Sequence, residues 1–265
     1  VVQRGGVPAG FGTVASHGLE FESEFEVNSV ELQQVVQGER MGIIAGARYQ
    51  SGDVDARSRL VPVLPGPVIE SVNRSDLERV NGYAYWQVRP WNWLRAWAGV
   101  SYDHLEYPAN ADLAPIGSDG SDGSVGSVRS DRSLLAPKLA LAVTPWKGGE
   151  LRATFTRSMG GLYFDDSMRL EPGQVAGFGQ SFRSLAPESV IGLVPATAFE
   201  TIGVRWDQKL PRDIYVGVEA LRMESDGSRG VGVLTNSLPF PVADSPSQIG
   251  QEVAFTERSV GGYLG

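Results

Sequence analysis

Apolar and polar residues alternate along most of this chain, in paired runs joined by connections of two very different lengths. Residues 80–88 and 94–103 are two such runs, and only the short turn at residues 89–93 separates them. Because successive side chains of a strand point to opposite faces, each run predicts a strand with one apolar and one polar face. Short turns at one end of the strands and long loops at the other are typical of a transmembrane β-barrel.

Composition narrows how such a chain could cross a membrane. The richest apolar run, residues 41–47, is far shorter than the roughly 20 apolar residues that a spanning helix needs. Inside the hydrocarbon core of a bilayer, only helices and closed sheets satisfy their own backbone hydrogen bonds. Because no run is long enough for a spanning helix, any membrane-spanning part must be built of strands. The formal net charge of −8 argues against a nucleic-acid partner, which requires a basic surface.

The polar faces of the predicted strands carry many of the charged residues. Residues 19–27, for example, alternate apolar side chains with glutamates. We expect these polar faces to line a water-filled lumen, where rows of glutamate would disfavour anions. The alternative is a solvated polar face without ligand specificity. The candidate lumen-facing residues are Glu20, Glu22, Glu24, Glu26, Arg48, Arg95, Arg152, Arg205, Asp207 and Glu219.

Four stretches are predicted to be loops, at residues 61–67, 108–133, 158–198 and 222–251. The third differs from the others because it contains many aromatic and apolar side chains. Such a loop should pack against other parts of the protein, and a barrel mouth is the expected place. We expect it to form the mouth or a constriction. Its candidate ligand-contacting residues are Asp165, Asp166, Arg169, Glu171 and Arg183.

Residues that carry catalysis or bind metals are sparse. The chain has no cysteine and two histidines, His17 and His104, which excludes a histidine-rich zinc site and argues against a catalytic triad. Asp119 and Asp122 could ligate calcium, but their spacing matches no calcium loop, and a solvated loop is the preferred interpretation. We therefore predict no enzymatic activity, no catalytic residue, no metal site and no cofactor.

Three segments recur in the order seen in one family of outer-membrane proteins. They are Tyr/Trp-rich residues 82–90, residues 94–103 ending in Tyr-Asp, and the Pro-Lys hairpin of residues 136–145 with 151–158. Over residues 41–221 the chain resembles the barrel of TonB-dependent receptors. This resemblance implies the outer membrane of a Gram-negative-type bacterium, contact with its lipid, a small solute or metal chelate as ligand, and a TonB-type energy-coupling protein as partner. Similar barrels also follow tetratricopeptide repeats, as exporters or porins, and that alternative stays open.

These observations lead to one fold prediction and two functional hypotheses. The chain is expected to be all-β, an antiparallel up-and-down transmembrane β-barrel segment of about ten strands that is not closed. Residues 1–265 are expected to form a single segment, incomplete at both ends and without a plug domain. The leading hypothesis is a non-catalytic outer-membrane transport or channel protein. The alternative is a soluble all-β binding module or surface adhesin whose loops form a ligand face.

Overall fold

The computed structural model of the protein describes residues 2–6, 14–15, 17–62, 68–108, 129–160, 169–180, 195–236 and 242–265. Most of these residues lie in β-strands, and a single 3-10 turn occurs at Pro211–Asp213. No helix in the described part of the chain is long and apolar enough to cross a bilayer. The strands are β1 Val2–Gly6, β2 Val14–Ala15, β3 His17–Gln37, β4 Met41–Pro62, β5 Ile69–Trp91, β6 Leu94–Pro108, β7 Arg129–Val143, β8 Gly149–Met159, β9 Gln174–Val175, β10 Phe178–Gly179, β11 Ala198–Lys209, β12 Tyr215–Asn236 and β13 Val242–Leu264.

One large sheet contains all of the long strands, and its strands follow one another almost in chain order. The order is β1-β3-β4-β5-β6-β7-β8-β11-β12-β13-β2. All long neighbours pair antiparallel, and only the two-residue strand β2 pairs parallel, with β13. This open, up-and-down sheet confirms the predicted fold class.

Short turns alternate with connections of 6, 20 and 38 residues along most of the sheet, as the sequence predicts, whereas the last connection, residues 237–241, has only 5. The short turns lie at residues 38–40, 92–93, 144–148 and 210–214, all at one end of the strands. The longer connections, which include residues 160–197, leave the opposite end. Such asymmetry is typical of outer-membrane barrels.

The strands are longer than a bilayer requires. β5 and β13 each contain 23 residues, whereas a tilted transmembrane strand needs about 9 to 11. Across the sheet, Val30, Tyr49 and Val80 lie in one row of paired residues. We call the part between the short turns and this row the membrane zone, and the part beyond it the outer zone.

The outward face of the membrane zone is apolar. Trp86, Leu139 and Val204 are each about half exposed, at 49%, 54% and 54%. Aromatic side chains border this band: Trp91 and Trp93 stack near the short turns with ring centroids 5.5 Å apart. An exposed apolar band with aromatic borders matches the surface that an outer-membrane barrel presents to lipid.

The outer zone has the opposite polarity. Its inward face, with the adjoining residues of the membrane zone, packs a buried apolar cluster against which Val27 also packs. Its outward face carries exposed ion pairs, among them Arg59 with Glu20 and Arg74 with Asp55. This zone is therefore built like one layer of a water-soluble β-domain. The buried cluster consists of Leu77, Leu105, Tyr107, Leu134, Ala136, Met159, Ala196 and Ala198.

The predicted loop at residues 222–251 is wrong over most of its length. β12 continues to Asn236 and β13 begins at Val242, and the two strands pair through that region. Arg222, Glu224 and Asp226 form the outward face of β12 there. Because these outward residues are polar, the strand lacks the apolar stripe that would have revealed it in the sequence.

Candidate functional site

A short segment between β8 and β11 lies against the inward face of the sheet. We call residues 169–180 the inner segment; it contains the small hairpin β9–β10. Ala176 and Gly177 form the tip of this hairpin with φ values of 53° and 88°. Such a turn suits glycine, and a Cβ at Gly177 would also lie 2.8 Å from Nη1 of Arg152. The tip therefore rests close to the wall of β8.

Arg169 attaches the start of the inner segment to the wall through a buried ion network. Its Nη2 lies 3.3 Å from Oδ1 of Asp103 and 2.6 Å from Oε2 of Glu171. The same Asp103 oxygen accepts a hydrogen bond from Nη2 of Arg79 at 2.8 Å. The side chains of these four residues are at most 1% exposed. Charges buried to this degree are stable only when paired.

Glu171 makes the second attachment. Its Oε1 accepts a hydrogen bond from the Tyr85 hydroxyl at 2.6 Å and lies 3.9 Å from Nζ of Lys138. Nε2 of Gln180, at the other end of the inner segment, donates to the same Tyr85 hydroxyl at 2.9 Å. Tyr85 thus joins both ends of the segment to β5.

Glu31 on β3 makes the third attachment, to the backbone of the segment. Its carboxylate accepts hydrogen bonds from the N–H groups of Leu170 at 2.8 Å and Glu171 at 3.1 Å. The Tyr83 hydroxyl donates to the same carboxylate at 2.8 Å. Tyr83 can lie over β4 because residue 46 is glycine; a Cβ there would be 2.5 Å from the tyrosine oxygen.

Together these groups balance in charge. The wall supplies Arg79, Lys138, Asp103 and Glu31, and the segment supplies Arg169 and Glu171. Removing the segment would leave the wall with two basic and two acidic groups, and Lys138 would lose its buried carboxylate partner. The attachment is therefore electrostatically specific and not simply apolar packing.

A second polar row crosses the inward face nearer the short turns. We call it the base row; it pairs Arg95 with Glu150 at 2.6 Å, and Arg205 with Asp207 at 2.9 Å and with Glu219 at 3.5 Å. Arg152 also pairs with Glu150 and lies 3.8 Å from Asp207. Strand register puts all of these side chains on one face. The predicted lumen-facing residues Arg48, Arg95, Arg152, Arg205, Asp207 and Glu219 lie on this inward face.

The four predicted lumen-facing glutamates of β3 lie elsewhere, and that prediction is corrected. Glu20, Glu22, Glu24 and Glu26 pair with residues 53–59 of β4, on the outward face of the outer zone. Phe25 and Val54 pair on the inward face instead. The alternation was recognised correctly, but above the bilayer the outward face meets water, so the polar side points out.

The candidate ligand contacts of the long connection divide into two groups. Arg169 and Glu171 are buried against the wall, where they bind protein groups. Asp165, Asp166 and Arg183 lie outside the described residues. Their ligand-contacting role stays a prediction.

Sequence reasoning missed the wall residues that hold the inner segment. Asp103 and Lys138 were visible as charged residues on the polar faces of their strands, but Arg79, Glu31 and Tyr85 carried no distinguishing signal. Their shared role depends on which strands become neighbours and on where a connection outside the strand pattern returns. Alternation within one strand contains neither piece of information.

The apolar outward band, the polar inward face and the strand order are those of a transmembrane β-barrel sheet. Among solved structures, the chain is similar to the copper transporter OprC, with a TM-score of 0.56, 7% identity, and coverage of 92% of this chain and 36% of that one. This likeness confirms the predicted fold, an antiparallel up-and-down β-barrel sheet.

Two further solved structures match with lower scores. The ferric-catecholate import receptor Fiu from E. coli K12 has a TM-score of 0.45 and 13% identity, covering 92% of this chain and 36% of its own. The alcaligin outer-membrane receptor FauA from Bordetella pertussis has a TM-score of 0.43 and 9% identity, covering 93% and 37%. The chain spans about a third of the length of these proteins. No family model and no curated protein sequence matches it.

Proposed function

We propose that this chain forms part of an outer-membrane barrel that passes a small solute through its lumen, and that the inner segment narrows the passage. The observation that carries this proposal is the buried, charge-balanced attachment of residues 169–180 to the inward face. A segment held inside a barrel by specific ion pairs restricts what can pass.

The apolar outward band argues against the alternative of a soluble binding module or adhesin. A water-soluble protein rarely exposes a continuous apolar surface of this kind. Leu139, Val204 and Trp86 would all be half exposed to water in such a protein. Lipid removes that cost, so a membrane location is the consistent interpretation.

The proposed function involves no covalent chemistry. We extend it to energised import, in which the proton-motive force drives uptake of the solute. The fold shared with the copper transporter OprC supports transport as the class of function. A small solute or metal chelate as ligand, and a TonB-type protein as partner, are further parts of the proposal. Uptake by intact cells that stops when an uncoupler collapses the proton-motive force would support the energised form, and uptake unaffected by an uncoupler would contradict it.

The role of the inner segment can be tested by releasing it. The double variant Arg169→Ala/Glu171→Ala removes both charged anchors, and we expect a larger single-channel conductance in planar bilayers. The matched control is Arg222→Ala/Glu224→Ala, because these residues form another ion pair two positions apart, exposed on the outward face. An unchanged conductance in the first variant, with folding verified by heat-dependent gel mobility, would contradict a constricting role.

A further inference from the structure

A cavity of about 800 Å³ lies between the inner segment and the inward face of β11 to β13. It does not overlap the ion network that attaches the segment to β5 and β6. In the described part of the chain, the lining combines apolar and neutral polar groups with a single carboxylate. The residues are Pro172, Gly173, Gln174, Gly179, Gln180, Thr201, Leu221, Met223, Glu257 and Ser259.

Gln180 lines this cavity, and its buried Oε1 is a hydrogen-bond acceptor without a partner among the described residues. Its side chain is 1% exposed, and Oε1 has no hydrogen-bond partner among the described residues. Its Nε2 donates to the carbonyl oxygen of Pro172 at 2.5 Å and to the Tyr85 hydroxyl at 2.9 Å. The Pro172 group can only accept, and the Tyr85 proton is directed to Glu171. The amide orientation is therefore fixed, with its oxygen left over.

Glu257 supplies a second acceptor and the only charge among the described residues of the lining. Among the described residues it makes no ion pair, whereas the acids of the base row, Glu150, Asp207 and Glu219, are each paired with arginine. Glu257 belongs to the inward face because it pairs with Met223, which is buried. A buried amide oxygen without a partner is costly, and an unpaired carboxylate attracts positive charge.

From these observations we infer that the cavity binds a solute rich in hydrogen-bond donors, neutral or positively charged, such as an oligosaccharide bearing hydroxyl or ammonium groups. Leu221, Met223 and Pro172 offer apolar contact for the C–H faces of sugar rings, and Glu257 accepts hydrogen bonds from their donors. Anionic solutes would place their charge against Glu257 and are disfavoured. This inference rests on the proposed lumen function and specifies its solute class.

Three trisaccharides of similar size test the inference, because they differ mainly in charge. The glucosamine trimer carries ammonium groups, maltotriose is neutral, and the galacturonate trimer carries carboxylates. We expect isothermal titration calorimetry on the detergent-solubilised protein to show the tightest binding for the glucosamine trimer. The galacturonate trimer should bind at least about tenfold more weakly than maltotriose.

Glu257→Gln tests the carboxylate directly. This variant should weaken binding of the glucosamine trimer about tenfold and leave maltotriose unchanged, because only the charge is lost. Glu252→Gln is the matched control: the same substitution on the same strand, on the outward face of β13.

Four results would overturn the inference. They are equal effects of the two substitutions, absence of binding by all three trisaccharides, galacturonate binding as tight as glucosamine binding, and weakened maltotriose binding by Glu257→Gln. The conductance experiment on Arg169 and Glu171 uses no trisaccharide. A failed constriction and a failed ligand assignment therefore give separate results.

Discussion

The two zones of this sheet share the same strands but reverse their polarity. On β4, Ile43 and Tyr49 of the membrane zone point outward as apolar side chains, whereas Asp53 and Asp55 of the outer zone point outward as charged ones. The inward face changes in the opposite sense, from Arg48 to Leu60. Solvent explains both changes, because lipid surrounds one zone and water the other.

The comparison also separates two ways of stabilising an inward face. In the outer zone, apolar side chains such as Leu105 are buried together. In the membrane zone, Asp103 and Lys138 are just as buried and depend on pairing with Arg79, which lies at the boundary between the zones, and with the inner segment. Apolar burial tolerates loss of one partner better than a buried charge does. The membrane zone is therefore the more sensitive place for single charge changes.

The largest expected effect comes from unpairing buried charge. Asp103→Ala leaves Arg79 and Arg169 without their shared carboxylate, and we expect a loss of about 3 to 5 kcal/mol in the free energy of unfolding. Urea titration in lipid vesicles measures this. Asp55→Ala is the control, because Asp55 also lies 2.8 Å from an arginine, Arg74, but on the exposed outer zone. That variant should lose less than about 1 kcal/mol, and similar losses in the two would contradict the comparison.

A core truncation in the outer zone should cost somewhat less. Leu105 is 1% exposed, so Leu105→Ala opens a cavity and should lower the free energy of unfolding by about 2 to 5 kcal/mol. Val72, on the outward face of the same zone, is 52% exposed. Val72→Ala should stay within about 0.5 kcal/mol. If both substitutions proved neutral in the same urea titrations, the outer zone would have no apolar core.

An arginine introduced on the outward face of β4 should change the free energy of unfolding differently in the two zones. Ala45→Arg places a guanidinium in the lipid-facing band of β4 and should cost about 2 to 4 kcal/mol. Asp53→Arg lies on the same strand and face but opposite Glu26 and Asp76, so it should be neutral or slightly stabilising. Unfolding in vesicles, followed by gel mobility, compares the two. Equal costs would mean that both positions meet the same solvent.

The smallest effect is expected from the corrected glutamates. Glu22→Gln/Glu24→Gln changes only the water-facing side of the outer zone, so stability should stay within about 0.5 kcal/mol. The reversal potential in a salt gradient should not move. Glu219→Gln, on the inward face beside Arg205, should shift it toward anions. A shift from the outer pair and none from Glu219 would reverse our assignment of faces.

The sequence predicts much of the fold because each strand carries its own signal. In β5 and β6 of the membrane zone, lipid forces apolar side chains outward, so period two appears in the residues themselves, as at Val80 and Trp86. The outer zone lacks that external constraint. There the direction of Glu20 to Glu26 was misjudged. β12 beyond Leu221 also looked like a loop, because its outward residues are polar.

The candidate site was less predictable because it depends on distant contacts. Arg169 and Glu171 were singled out as polar residues in an aromatic-rich connection, but as ligand contacts. In the structure their partners are Asp103 and Lys138, and the sequence separation is 66 residues for the hydrogen bond from Arg169 to Asp103. Only the assembled sheet brings these groups together.

The most direct test of the two-zone account is cysteine scanning along the outward face of β4. The chain has no cysteine, so each single substitution reports one position without background. A water-soluble maleimide, applied to the protein in lipid vesicles, should fail to label cysteines at Ile43, Ala45 and Ala47. It should label those at Asp53 and Asp55, with the change falling between Tyr49 and Asp53. Uniform labelling from residue 43 to residue 55, or uniform protection, would contradict the account.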